Sequence, residues 1–158
     1  MMKTNSTLFN SVFEMSLRIM LLLSVNGNKY YSAEQITFLD FINCYSEDYD
    51  LPFANLHGTN NQKFAELANR RSLTYESIKS LVTKGLIDVE IQNGYRFAIS
   101  NLGIKYVKSL ESDYAKEYKT IALSAIRKYE EESNKSLLDV TSFILSKRAN
   151  YIKINSNL

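Results

Sequence analysis

Reactive side chains are scarce in this sequence. Cys44 is the only cysteine, so no disulfide can form within the chain, and an oxidising compartment gains no support. The only histidine, His57, follows in a different predicted element, which does not indicate a nucleophile–base pair. Cys44 and His57 could also supply only two of the four ligands of a zinc site, so carboxylates would have to supply the others. We therefore predict a chain that is not an enzyme, with no catalytic residue, no cofactor and no metal.

The sequence also lacks a large excess of positive or negative charge, and it lacks glycine-rich loops. The chain has 19 basic and 17 acidic side chains, a net charge of +2. Proteins whose main task is to hold nucleic acid usually have a much stronger basic bias, so the overall charge does not support DNA binding. The five glycines are scattered at predicted turns and form no phosphate-binding loop.

Long apolar runs are absent as well. The longest, Ile19 to Leu23, is far shorter than the ~20 residues that a bilayer span requires. Glu14 and Arg18 lie just before it, which argues against a secretory signal. We expect a cytoplasmic protein without membrane contact.

What the sequence does contain is helical periodicity and ample core material, since 45% of its residues are hydrophobic and 12% aromatic. The predicted helices cover residues 8–25, a segment that begins with a capping box of Ser32 and Gln35, two segments within 62–84 with a break near Ser72, and residues 102–110, 113–131 and 136–146. The first helix has a wide apolar surface. Thr74 is predicted to cap the second of the two segments, Gly85 to follow its end, and Asn101 to cap the helix that starts at residue 102. The predicted fold class is mainly α with a small β-hairpin (α+β): a winged helix-turn-helix core with long flanking N- and C-terminal helices. We divide the chain into a flexible N-terminus (1–7), a winged-helix domain (8–131), and a C-terminal amphipathic helix with a polar tail (132–158).

The hairpin is predicted by the stretch "GLIDVEIQNGYRFAIS", residues 85–100. Apolar residues alternate with polar ones on both strands, so that one face is apolar and the other polar. Asn93-Gly94 between the strands tolerates the positive φ angles of a tight type I′ turn. Because a helical pattern precedes it, the hairpin resembles the wing of a winged helix, and such wings often touch DNA.

The local charges do not favour DNA contact. The polar positions of the expected recognition helix sum to +1 and those of the wing to −1, and the wing tip, Gln92-Asn93-Gly94, is uncharged. Phosphate contacts dominate affinity for DNA, so a DNA-binding wing should present Lys or Arg there. Arg70-Arg71, at the predicted helix junction, have an alternative role in fastening carboxylates or carbonyls. The candidate nucleic-acid contacts are Arg70, Arg71, Lys79, Lys84 and Arg96, but a protein-binding module fits the charges better.

Several stretches resemble a known family, the second type of middle component of bacterial ABC-three-component systems, which are related to the small subunit of Lamassu-type defence complexes. The similar residues are Leu8–Ser11, Glu14, Leu17-Arg18, Leu21–Leu23, Leu39–Phe41, Ser46, Leu56-His57, Glu66-Leu67, Arg70-Arg71, Gly85-Leu86, the hairpin through Ser100, and Leu110–Ala115. The resemblance runs from about Leu8 to Tyr129. It departs from the family where Val12 replaces a common proline, and in a loop (residues 46–61) poorer in proline and glycine.

The resemblance implies a small winged-helix accessory subunit. Its partners would be an SMC-like ABC ATPase and an effector subunit, often a nuclease, in a complex that guards bacteria against phage or plasmids. ATP hydrolysis and DNA cleavage would belong to the other chains. In an intermediate hypothesis, the complex as a whole binds DNA and this subunit lines part of the path. The alternative is a winged-helix transcriptional regulator that binds DNA by itself.

For an interaction subunit we expect interface residues in three places. The candidates are Phe9, Phe13, Glu14 and Arg18 in the first helix, Leu56 and His57 in the long loop, and Leu137, Leu138, Phe143 and Ile144 near the C-terminus. Each has an ordinary alternative. The aromatic residues fit a core, Glu14 and Arg18 fit a surface ion pair, His57 fits a loop, and the C-terminal stripe fits packing on its own domain.

Overall fold

The computed structural model describes residues 11–58 and 63–131, together with Ser142 and Ser146. Within these ranges the chain is mainly helical with one small antiparallel sheet, which confirms the predicted α+β class. In chain order the elements are α1 (Val12–Ser24), β1 (Tyr31–Ser32), α2 (Ala33–Cys44), α3 (Lys63–Thr83), β2 (Ile87–Ile91), β3 (Tyr95–Ile99), α4 (Asn101–Lys108) and α5 (Asp113–Ile126). A 3-10 turn (Ser46–Tyr49) follows α2, and a π-helical turn (Arg127–Glu131) continues α5.

Serine side chains cap the N-termini of several of the helices. Ser32 and Gln35 form the predicted capping box, in which Ser32 Oγ accepts from the Gln35 backbone N–H (3.1 Å) and Gln35 Oε1 accepts from that of Ser32 (2.9 Å). Ser11 caps α1 in the same way. At α4 the cap is Ser100 and not the predicted Asn101, because Ser100 Oγ accepts from the Gly103 N–H at 3.0 Å.

The prediction of two helices with a break near Ser72 is wrong, because α3 runs without interruption over 21 residues. No glycine or proline interrupts the segment. Thr74, predicted to cap the second helix, is buried inside α3, and its hydroxyl donates to the carbonyl of Arg70 (2.8 Å). The helix ends at Thr83, and Gly85 follows its end as predicted, with a positive φ of 71°.

The sheet has the strand order β1-β3-β2, with β3 in the centre. The pairs Ile87–Ile99, Val89–Phe97 and Ile91–Tyr95 lie directly opposite each other, which confirms the predicted apolar face of the hairpin. Three residues connect the strands, one more than a two-residue type I′ turn has. Two of them, Asn93 and Gly94, adopt positive φ (53° and 101°).

The apolar surface of α1 is wide, as the sequence predicted, and it is buried. The buried residues are Met15, Arg18, Ile19, Met20, Leu21, Leu22 and Leu23. Within the described ranges, no helix has both the length and the apolar composition that crossing a bilayer requires. The buried apolar residues of α1 pack in the main hydrophobic cluster of the protein.

Helix α2 is the centre of the molecule. Every residue from Ile36 to Cys44 is buried, because α1, α3 and α5 all pack against it. One side of α2 joins a hydrophobic cluster with α1, the hairpin and α5, and its C-terminal half joins a second cluster around Phe41, Tyr45 and Tyr49. A polar side chain between Ile36 and Cys44 therefore has access only to other parts of the protein.

Gly103 allows α4 to pack closely on the base of the hairpin. A Cβ at this position would collide with the carbonyl oxygen of Leu86 and the side chain of Ile99.

We predict that Gly103→Ala lowers the free energy of unfolding by about 1–3 kcal/mol, the usual cost of overpacking, as measured by urea denaturation. Lys105→Ala, an exposed change in the same helix, is the control and should change it by less than about 0.5 kcal/mol. Equal stability of the two variants would contradict this close packing.

Candidate functional site

Asp40 on α2 accepts hydrogen bonds from three other helices. Arg18 of α1 donates from Nε to Oδ1 (2.9 Å) and from Nη2 to Oδ2 (3.3 Å). Arg70 of α3 donates from Nη1 to Oδ2 (2.7 Å), and the Tyr118 hydroxyl of α5 donates to Oδ1 (2.6 Å). All four side chains are buried. We call these residues the buried network.

The charges in the buried network keep Asp40 ionised. Burial by itself would raise the pKa of its carboxyl, but the guanidinium groups of Arg18 and Arg70 outweigh that effect and hold the pKa well below its usual range. Burial and the neighbouring carboxylate raise the pKa of Tyr118, so its hydroxyl remains a hydrogen-bond donor. The network is therefore an ionic connection among four helices.

Aromatic rings hold the part of Arg70 that Asp40 does not reach. Its guanidinium carbon lies 5.5 Å from the centre of the Phe41 ring and 5.9 Å from that of Tyr45, within the range of cation–π contacts. Among the described residues, its Nε and Nη2 find no hydrogen-bond partner. The rings therefore supply part of the stabilisation that water would give to an exposed guanidinium.

The structure brings Cys44 and His57 together, although the sequence did not indicate a pair. Cys44 Sγ and His57 Nε2 are 3.5 Å apart, and His57 Nε2 is also 2.9 Å from the hydroxyl of Tyr114. The backbone N–H of His57 donates to the carbonyl of Cys44 (3.3 Å), which ties the long loop to the end of α2.

The electrostatics of this pair are opposite to those of a catalytic thiolate–imidazolium pair. Burial and the nearby Asp40 raise the pKa of the Cys44 thiol. Burial, with Arg18 and Arg70 nearby, lowers the pKa of His57 to about 3. Both side chains are neutral at pH 7, and Cys44 is fully buried, so the arrangement suits packing and not nucleophilic attack.

An open apolar groove lies between α3 and the apolar face of the hairpin. Its volume is about 710 Å³, and its lining residues are Ser32, Ala33, Glu34, Tyr75, Ile78, Lys79, Val82, Thr83, Val89, Tyr95 and Phe97. Cross-strand pairs of the hairpin are buried at its base but become exposed toward its tip, where Tyr95 is 65% and Ile91 76% exposed. The groove therefore presents apolar side chains of both walls to solvent.

The five candidate nucleic-acid contacts lie in different environments. Arg70 belongs to the buried network, and Arg71 forms an exposed ion pair with a carboxylate in the first turn of α2 (2.6 Å). These are the carboxylate contacts that the sequence offered as the alternative. Arg96 is half-buried and donates to the capping glutamine of α2 (3.4 Å). Lys79 on α3 and Lys84, which directly follows α3, are exposed.

The candidate interface residues of the first helix also separate. Phe13 is 65% exposed, whereas Arg18 is 1% exposed, so the alternative of a surface ion pair between Glu14 and Arg18 is wrong. The reason is that Arg18 faces α2, where Asp40 provides its counter-charge. Phe9 lies outside the described residues.

The other interface candidates are in the long loop and near the C-terminus. Leu56 is half-buried and packs against both hydrophobic clusters, and His57 is half-buried beside Cys44. The remaining candidates, Leu137, Leu138, Phe143 and Ile144, lie outside the described residues. No observation tests whether these loop and C-terminal candidates contact a partner, and the same holds for Phe13 and Glu14. Their role in an interface stays a prediction.

The chain matches the sequence model of the Middle Component 2 of ABC-three component (ABC-3C) systems over residues 8–150. The chain belongs to this family. No curated protein and no solved structure matches it. The family match continues past Tyr129, where the resemblance seen in the sequence ended, and so includes the C-terminal candidates up to Ile144.

Residues that carried the resemblance to this ABC-3C middle component meet in and around the buried network. Arg18, Asp40, His57 and Arg70 come from four separate segments. Sequence reasoning missed their shared location, yet it had a signal: Asp40 stands in a helix with apolar residues on all sides. A charge in such a helix is buried and needs a counter-charge.

The single histidine makes acid stability a direct test of this site. Above pH 6.5 His57 is neutral in the folded and in the unfolded chain. Below pH 6.5 the unfolded chain binds a proton at His57, whereas the folded chain does not, because its His57 has a pKa of about 3. From pH 7 to pH 5 we predict a loss of about 2 kcal/mol of unfolding free energy from this group. Urea denaturation should show a clearly smaller loss for His57→Gln. Parallel pH profiles of the two proteins would contradict the assignment.

Proposed function

We propose that this chain is a non-catalytic accessory subunit of a cytoplasmic ABC-3C complex. It connects an SMC-like ABC ATPase to an effector subunit, often a nuclease, through protein–protein contacts. The resemblance to the small subunit of Lamassu-type complexes supports a role for the complex in defence against phage or plasmids. Membership of the middle-component family supports the accessory role.

The observation that carries this proposal is the apolar surface on α3 and the hairpin. Tyr75 is 50% exposed and the hairpin-tip residues Ile91 and Tyr95 still more. Apolar side chains clustered on one exposed surface indicate a protein-interaction site, and aromatic residues are typical anchors of such sites. The same surface has few cations, so it is better suited to a protein than to phosphates.

The order of the elements supports a winged-helix domain. A helix, a short strand, two helices and a hairpin follow one another, and β1 pairs with the hairpin strand β3. In this arrangement α3 takes the place of the recognition helix and the hairpin that of the wing. The groove between them is where a DNA-reading member would place its ligand, and here its walls are apolar.

The chemistry of the interior supports a non-catalytic role. Within residues 11–58 and 63–131, no three His, Cys, Asp or Glu side chains are grouped so that they could hold a metal ion. The only thiol is buried beside a neutral imidazole. ATP hydrolysis and cleavage of DNA are therefore assigned in this proposal to the other components.

The second candidate function is a winged-helix regulator that binds DNA alone. Among the five candidate contacts only the exposed Lys79 on α3 and Lys84 just after it favour this function, because Arg70 is buried, Arg71 is already paired, and Arg96 is half-buried and donates to the capping glutamine of α2. Two lysines would release few counterions from a duplex, so binding by the lone chain would be weak and non-specific.

Co-purification and a gel shift distinguish the two functions. We predict that the full chain, co-expressed with the other components of its own ABC-3C system, purifies with at least one of them. Alone, it should not shift duplex DNA at physiological salt, because its candidate contacts offer only Lys79 and Lys84 to the phosphates. The Lys79→Ala, Lys84→Ala double variant removes both charges and is the control for any DNA binding that is seen.

Tight binding of a defined duplex by the lone chain, lost in the double variant and falling steeply with salt, would contradict the proposal and favour the regulator. A wild-type chain that purifies with no other component would contradict it as well.

A further inference from the structure

The groove between α3 and the hairpin contains one charge that no described residue of the chain compensates. Of its lining residues only Glu34 and Lys79 are charged, and Glu34 is held by Arg71 at 2.6 Å. Within the described part of the chain, Lys79 has no carboxylate partner, although its side chain is exposed beside apolar neighbours. An occupant of the groove therefore has to bring apolar side chains and a negative charge.

We propose that this groove docks an amphipathic helix of another component of the ABC-3C system, with a carboxylate of that helix on Lys79. The inference rests on the proposed function and adds to it the docking site and the chemistry of the partner segment. Apolar side chains at helical spacing would fill the space between Tyr75 and Val82 on one wall and Val89 and Tyr95 on the other.

The geometry of the walls favours a helix over an added strand. The lining residues of the hairpin, Val89, Tyr95 and Phe97, all belong to the apolar face of the sheet, which the cross-strand pairing defines. A face offers side chains, whereas strand addition requires the main-chain groups of a strand edge. A volume of about 710 Å³ has room for several large side chains of one helix face.

The groove is poorly suited to a nucleic acid. A phosphate on Lys79 would be desolvated against Tyr75, Ile78 and Val82, which offer no compensating hydrogen bond apart from a single phenol. A carboxylate on a helix is desolvated at Lys79 as well, but the helix also buries apolar side chains against these neighbours, which the sugar–phosphate backbone of a nucleic acid lacks. Charge and surface chemistry therefore agree on an acidic amphipathic segment.

Three single substitutions test the docking site in the full chain co-expressed with its ABC-3C components. Val82→Glu places a carboxylate in the apolar wall, where it repels the carboxylate of the partner helix. Lys79→Glu reverses the charge that the partner recognises. Each should weaken assembly at least about tenfold in Kd, measured by titration of the purified components. Leu102→Glu, at an exposed apolar residue on α4 outside the groove, is the matched control and should leave Kd unchanged.

All three side chains are exposed, so the variants should unfold at the same urea concentration as the wild type, which separates binding from folding. A photoreactive p-benzoylphenylalanine in place of Tyr75 then identifies the occupant. We expect a crosslink to a segment of another component that has apolar residues at helical spacing and an Asp or Glu. Changing that acid to Lys should restore assembly with Lys79→Glu.

The outcomes separate this inference from the proposed function. Wild-type Kd for both groove variants, or a crosslink only to DNA or to a second copy of this chain, overturns the docking site. If both groove variants and the wild type assemble with the other components at the same Kd, the proposed function survives. A wild-type chain that binds no other component overturns both.

Discussion

The structure depends on the ionised carboxylate of Asp40. Three helices donate hydrogen bonds to it, from Arg18, Arg70 and Tyr118, at a position where α2 is surrounded by protein on all sides. A buried charge without partners would cost several kcal/mol, so any arrangement that separates one of the donors from Asp40 is disfavoured. The network therefore specifies how α1, α3 and α5 are placed around α2, which apolar packing alone specifies less strictly.

This placement connects the interior to the proposed interaction surface. Helix α3 contacts Asp40 through Arg70 on one face and presents Tyr75, Lys79 and Val82 on another. The hairpin forms the opposite wall of the groove, and its base is fixed by buried residues. Because both walls are rigid elements anchored in one core, the groove is formed before any partner arrives. Preformed sites bind with a smaller entropic cost than loops that must first become ordered.

The sequence predicted local features well and their spatial arrangement poorly. Alternating residues identified the hairpin, and the Ser32–Gln35 spacing identified a capping box, because these patterns act between near neighbours. The expected break near Ser72 was wrong, since no residue there prevents a helix and tertiary packing continues it. The shared location of Arg18, Asp40 and Arg70 depends on which helices meet, and the groove depends on the angle between α3 and the hairpin. A single sequence gives little information on either.

The most direct test of the central claim is the unfolding free energy of Asp40→Asn at pH 7, measured by urea denaturation. This change removes the charge and keeps the shape, which leaves two buried guanidinium groups without a counter-ion. The predicted loss is about 3–5 kcal/mol, whereas Glu34→Gln, which breaks the exposed pair with Arg71, should lose less than about 1 kcal/mol. A loss for Asp40→Asn as small as that of Glu34→Gln would contradict the role assigned to the buried network.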